Sequence, residues 1–171
     1  GLGDVYKRQV YQDEQFRYLT EKLNGYITGA YIYNKMGLTE QVATTITIAT
    51  PNPVRRFRFK NLDIECVKAY CMVYPDESLV PYLRLLDAIK DMKRIPGTTG
   101  QDIYNRVKSQ YFNGYSLPEL EKIVSLAKSY PPRVRKVVAD ILGDIRQTVL
   151  QTEMAKTILP TTRFNLDYKT A

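Results

Sequence analysis

Apolar residues recur along this chain with two periods. From Ala43 to Ala69 they alternate with polar ones at every second position, as in half-buried strands. From Ser78 onward they return at every third and fourth position, as in helices packed on one side. The segment Ala43–Thr50 (Ala-Thr-Thr-Ile-Thr-Ile-Ala-Thr) is β-branched and alternating, which predicts a strand. Pro51-Asn52-Pro53 predicts a turn, and Val54–Lys60 with Leu62–Ala69 predicts a hairpin around Lys60-Asn61. Upstream, Val10–Leu23 places Phe16, Leu19 and Leu23 at a weaker helical spacing, stopped by Asn24-Gly25. Thr28 is positioned to cap a short helix over Ala30–Met36. Gly37 would take the left-handed stop position after it, and Leu38 would make the hydrophobic contact that follows.

The helical half reads segment by segment. Leu79, Tyr82, Leu83, Leu86 and Ile89 form one stripe, with Lys90, Lys93 and Arg94 at its end and Pro96-Gly97 as terminator. Thr99 with Asp102 looks like a capping pair for a helix turning Ile103, Val107 and Tyr111 inward. Ser116 with Glu119 makes a capping box ahead of Leu117, Leu120, Val124 and Ala127. A third stripe runs through Val134, Val137, Val138, Ile141, Leu142 and Ile145. Val149 or Leu150, Met154 and Ile158 then carry the period to Pro160. Strands followed by helices imply an α+β fold, with a small, mostly antiparallel sheet of about three strands (43–69) against about four or five helices.

Gly1–Gln9 has no initiator Met and reads like a sequencing-adapter remnant, so the natural chain is expected to extend upstream. Residues 10–24 are then the remnant of an upstream segment or a linker helix, 25–159 a single α+β domain and 160–171 a loosely held tail.

The hairpin decides how its basic appearance is read. With Lys60-Asn61 as the loop, Phe59 faces Leu62, Phe57 faces Ile64 and Arg55 faces Cys66 on a mostly buried face. Arg58 then faces Asp63 and Arg56 faces Glu65 on the other. The linear run Arg55-Arg56-Phe57-Arg58-Phe59-Lys60 therefore reads as a ladder of ion pairs more than as a nucleic-acid stripe.

Net charge is +7 with a pI near 9.3, which favours polyanionic partners. The absence of histidine removes His-based acid–base and nucleophile systems and most transition-metal sites. Cys66 and Cys71 read as reduced thiols, no apolar run reaches the roughly 20 residues of a membrane span, and a cytoplasmic location without cofactor is expected. Gly97-Thr98-Thr99-Gly100 lacks the lysine of a phosphate-binding loop. Asp63, Glu65 and Lys68 faintly resemble a metal-nuclease core, but Glu65 and Lys68 project to opposite faces. Asp87 and Asp91, one turn apart, could hold Mg²⁺, although adjacent Lys90 and Lys93 favour a solvated face.

The remaining candidate is Tyr130-Pro131-Pro132-Arg133-Val134-Arg135-Lys136, which opens a helix with three cations and no acid. The helix dipole already makes that end positive, so the arrangement suits an anionic partner. Arg133, Arg135 and Lys136, with Arg146 on the flank, are the expected nucleic-acid or anion-binding residues; solubilising charges around an apolar helix are the competing explanation.

Several blocks resemble AbiEi-like antitoxin proteins: Gly25-Tyr26-Ile27-Thr28-Gly29, Tyr33–Val42, Ile46–Asn52, Leu85-Leu86-Asp87-Ala88-Ile89-Lys90-Asp91, and Tyr130–Arg135, in consistent order over about Gly25 to Ile145. The resemblance implies a bacterial type IV toxin–antitoxin component. Such antitoxins pair an N-terminal winged helix that binds operator DNA with a C-terminal domain needed to counter a nucleotidyltransferase toxin, generally without a stable complex. Residues 10–24 are too few for a winged helix, so no residue is assigned to a DNA-reading helix, and the family has no catalytic residues to carry over. The expected function is a non-catalytic antitoxin or regulator with operator DNA and such a toxin as partners. The alternatives are a protein-interaction module without nucleic-acid binding and, last, a carboxylate–metal enzyme.

Overall fold

The hairpin forms in the register its charges and aromatics dictate. The computed structural model describes residues 2–53, 56–71, 76–164 and 168. In it β3 (Phe57–Phe59) pairs antiparallel with β4 (Leu62–Lys68) through Phe57↔Ile64, Arg58↔Asp63 and Phe59↔Leu62. Ile64 is buried, and the outward pairs close at 3.4 Å for Arg58–Asp63 and 3.6 Å for Arg56–Glu65. The expected start of this strand at Val54 and the pairing of Arg55 lie outside the described residues.

The sheet has four strands in the order β1-β2-β4-β3, where β1 is Tyr26–Thr28 and β2 is Thr45–Thr50. Its two outer pairings are antiparallel and its central one, β2 with β4, is parallel. After β2 the chain crosses to the far edge to make β3, then returns as β4 between them. Strand β1 has no signature in the sequence: three residues cannot display an alternation. It also changes the role of Thr28, whose hydroxyl donates to Asp87 instead of capping the next helix. That helix, α2 (Ala30–Lys35), starts at Gly29 without a side-chain cap. Its other end follows expectation. Gly37 takes φ 76° and donates to Asn34 O, while buried Leu38 donates to Tyr33 O, the paired bonds of a Schellman stop.

Helix α1 (Leu2–Leu23) runs through both the adapter-like residues and the segment after them. Its C-terminal half is built into the core: Leu19 is buried, Thr20 O accepts from the Gly25 amide, and Leu23 O accepts from the Thr50 hydroxyl. Tyr18 stacks on Phe59, and Lys60 Nζ reaches the Tyr11 hydroxyl at 3.0 Å, so α1 also touches the β3 edge. Gly25 is required where it stands, because a Cβ there would lie 2.1 Å from Ala49 O.

The helices are α3 (Val80–Lys90), α4 (Gly100–Gln110), α5 (Leu117–Ala127), α6 (Pro132–Asp144) and α7 (Thr148–Ala155). Both expected caps are present: Thr99 accepts from the Asp102 amide, and Ser116 with Glu119 forms the full capping box. Helix α3 is the centre of the molecule, touching β1 and α2 on one side and α4, α5 and α6 on others. It is therefore buried almost all round, with Leu85 and Ala88 as inaccessible as Leu86. One stripe assignment shifts, since Leu117 is half exposed while Ile123 is buried, and the choice between Val149 and Leu150 falls to Leu150, which faces inward. Within the expected tail, Tyr168 is buried, stacked on Tyr104 and donating to Asp140 at 2.8 Å. No helix among the described residues is long and apolar enough to cross a membrane.

Candidate functional site

The four basic residues singled out from sequence do not share one environment. At the start of α6, Pro131 and Pro132 have no N–H, and the Val134 and Arg135 amides both donate to Pro131 O. The first turn thus offers an incoming anion few free amides, contrary to what the sequence suggests. Arg135 is committed inside the protein: its Nε donates to Tyr130 O at 3.0 Å and a terminal nitrogen donates to Thr157 O. Lys136 pairs at 3.2 Å with Asp140, whose side chain is nearly buried. Arg133 is half-buried, with Nη2 enclosed and unpartnered. Arg146 is exposed just past the other end of α6, at φ 63°, roughly 20 Å along the helix from Arg133. The cations that tolerate this positive helix end do so partly because two of them serve carbonyls and a carboxylate of their own chain.

The most concentrated polar geometry lies elsewhere, at Asp87. Its carboxylate is 3% exposed and accepts three hydroxyl hydrogen bonds. Oδ2 takes Tyr26 at 2.7 Å and Thr28 at 2.8 Å, and Oδ1 takes Tyr130 at 2.7 Å. Local structure explains each donor. Tyr26 and Thr28 are two apart on β1, so both side chains leave the same face toward α3. Tyr130 is delivered by the tight end of α5, where its amide donates to Ala127 O, and its ring stacks on Tyr70 at 5.1 Å. One turn back on α3, Arg84 Nε donates to Ile27 O at 2.8 Å, fixing the same strand.

Burial raises the Asp87 pKa, and the bonds from Tyr26, Tyr130 and Thr28 oppose that rise without cancelling it. Desolvation, reinforced by the Asp87 charge, pushes the Tyr26 and Tyr130 hydroxyls far above the ordinary phenol range, so both remain donors. Burial also lowers the Arg84 pKa. The solvated face expected for Asp87 and Asp91 is therefore corrected for Asp87, while partly exposed Asp91 does stand 3.9 Å from Lys90. Asp87 is in the core, and Asp91 accepts from buried Tyr33 at 2.7 Å while standing 3.7 Å from Arg94.

Tyrosine–carboxylate bonds recur. Tyr104 donates to Asp144 at 2.6 Å, Tyr168 to Asp140 and Tyr82 to Glu119. In a chain with 14 tyrosines and no histidine or tryptophan, the phenol is the default neutral partner for a buried acid. Asp63 and Glu65 are held by the hairpin arginines, and among the described residues no group of three or more Cys, Asp or Glu is placed to hold a metal ion. The Asp87 cluster ties β1 and the end of α5 to α3. A free acid, a base or a nucleophile is not among its parts.

Asp87 carries a signal in sequence that pairing it with neighbouring lysines overlooks. It stands four residues after Leu83 and eight after Leu79, inside the apolar stripe, within the run Leu85-Leu86-Asp87-Ala88-Ile89. An acid in that position is buried and needs donors. No family model, no curated protein and no solved structure matches this chain.

Proposed function

We propose that this chain is a non-catalytic antitoxin-type regulator of a bacterial type IV toxin–antitoxin system. It would act in the cytoplasm against a nucleotidyltransferase toxin without a stable complex, and it would carry a basic surface that contacts nucleic acid. One observation carries the reading. Three of the blocks that resemble the family, around Tyr26, Asp87 and Tyr130, meet in a single hydrogen-bonded cluster although 61 and 43 residues separate the partners. That segments so far apart in sequence are neighbours in space supports reading the blocks as one unit rather than as separate strings. Fold alone does not fix function. The surface supplies the rest: a net charge of +7, with Arg146 exposed and Arg133 partly so once Arg135 and Lys136 are assigned to internal partners.

The test is a fluorescence-anisotropy titration of labelled duplex DNA between about 50 and 200 mM salt. Affinity is expected to fall steeply across that range. An Arg133→Ala, Arg146→Ala variant should reduce the log–log salt slope by about 0.9 for each phosphate that is no longer neutralised. Arg135 is kept intact, because its loss would disturb the fold. Binding that is absent or insensitive to salt removes the nucleic-acid surface and favours a protein-interaction module.

A further inference from the structure

The central pair of strands is parallel, and their carboxyl ends open onto a cavity of about 130 Å³. In sheets with parallel strands, ligands collect in the crevice beyond the carboxyl ends, where successive connections leave in different directions. The same divergence occurs here: after β2 the chain departs for the far edge of the sheet, and after β4 it departs for α3. Ala49 lines the crevice from β2, Ala69 and Cys71 from the end of β4, and Val80 and Leu83 from α3, giving it an apolar side. The Tyr26 ring forms one wall while its hydroxyl stays fastened to Asp87.

The mouth has the opposite character. Glu21, Asp76 and Glu77, all exposed, are three acidic residues of its lining, and among the described residues no Lys or Arg lines it. Asp76 remains ionised well into the acid range, because the Ser78 hydroxyl and amide hold its pKa down; Lys122 acts on it electrostatically from α5 without entering the lining. The C-terminal end of α1 also lies at this mouth, and its carbonyls add the negative end of a helix dipole.

We infer that this cavity binds a small organic amine, with an apolar body no larger than a single ring against its apolar side and a protonated nitrogen among Glu21, Asp76 and Glu77. The size is appropriate: a dry apolar cavity of about 150 Å³ accepts benzene. The charge selects among ring-sized molecules, favouring an amine and repelling a carboxylate of the same shape. Nothing in this inference depends on the antitoxin reading.

Three ring-matched probes test it on the full chain by isothermal titration calorimetry: benzylamine, benzyl alcohol and phenylacetate. Benzylamine is expected to bind saturably and about fivefold to tenfold more tightly than benzyl alcohol, with phenylacetate weakest. In the Glu21→Gln, Glu77→Gln variant, which alters only exposed side chains, the benzylamine advantage should shrink to about twofold or less. Val80→Phe should abolish binding of all three by filling the cavity, with circular dichroism as the check on folding. The inference is overturned by no saturable heat at millimolar benzylamine, by equal binding of benzylamine and phenylacetate, or by a double glutamine variant that binds benzylamine like the wild type. Those outcomes leave the DNA titration untouched, so the two ideas fail separately.

Discussion

On the β3–β4 hairpin, Asp63 and Glu65 face arginine side chains in open solvent; at the centre of the molecule, Asp87 faces three neutral hydroxyls. The two regions handle carboxylates by opposite means. At the surface water already solvates the acid, so a guanidinium adds little beyond steering the register, typically about 0–1 kcal/mol. In the core water is gone, and the hydroxyls stand in for it; each is worth little in excess of hydration but a great deal once its partner is removed. The contrast teaches that the visibly charged part of this chain is energetically the lighter one. Asp87, an acid inside an apolar run, is the heavier.

The sharpest way to break the comparison is Asp87→Ala, which leaves the Tyr26 and Thr28 hydroxyls without their acceptor and Tyr130 with only its long bond to Leu83 O. A loss of about 3–5 kcal/mol is expected in denaturant unfolding. A loss under about 1 kcal/mol would mean that water or a rearranged neighbour replaces the carboxylate.

A pH series sharpens it next. Burial raises the Asp87 pKa in the folded state, so ionisation opposes folding. The stability linked to this group is fully present below its unfolded pKa and is lost as pH rises through the raised folded value. Asp76 and Glu119 run in the opposite sense, because the bonds from Ser78 and Ser116 lower their pKa values; their stabilisation is present above the ordinary carboxyl range and is lost as pH falls. The difference in unfolding free energy between wild type and Asp87→Asn, measured from about pH 4 to pH 8, should therefore move against the wild type as pH rises. A constant difference would place the Asp87 pKa at its unfolded value.

The smallest effect belongs to the hairpin. Arg56→Ala and Arg58→Ala should each cost no more than about 0.5 kcal/mol and should weaken further with added salt. A loss above about 1.5 kcal/mol in either would show that the ladder is structural after all.

What can be read from sequence follows the distance between partners. The ladder is legible because Arg58 and Asp63 are five residues apart and a two-residue loop fixes everything between them. The capping box at Ser116 and the stop at Gly37 are legible for the same reason, since each is closed within a few residues. The donors to Asp87 are not, because they lie 43 to 61 residues away and two of them sit on a strand too short to show its period. Leu117 and Val149 are ambiguous for a related reason. At a helix start the stripe has not yet been repeated, and only the neighbouring helices decide which side faces in. The run at Arg133–Lys136 is visible as a violation of the dipole preference, but its explanation is tertiary. Thr157 O, 22 residues on, receives one of the charges, and Asp140 takes another.

Arg135 has a mechanical consequence. It spans from Tyr130 O, just ahead of α6, to Thr157 O, just beyond α7, so it bolts together the open end of a helical pair whose other end is already joined by the chain. With both ends tied, neither helix can peel away alone. Thermal opening in this quarter of the molecule is expected to lift α6 and α7 together.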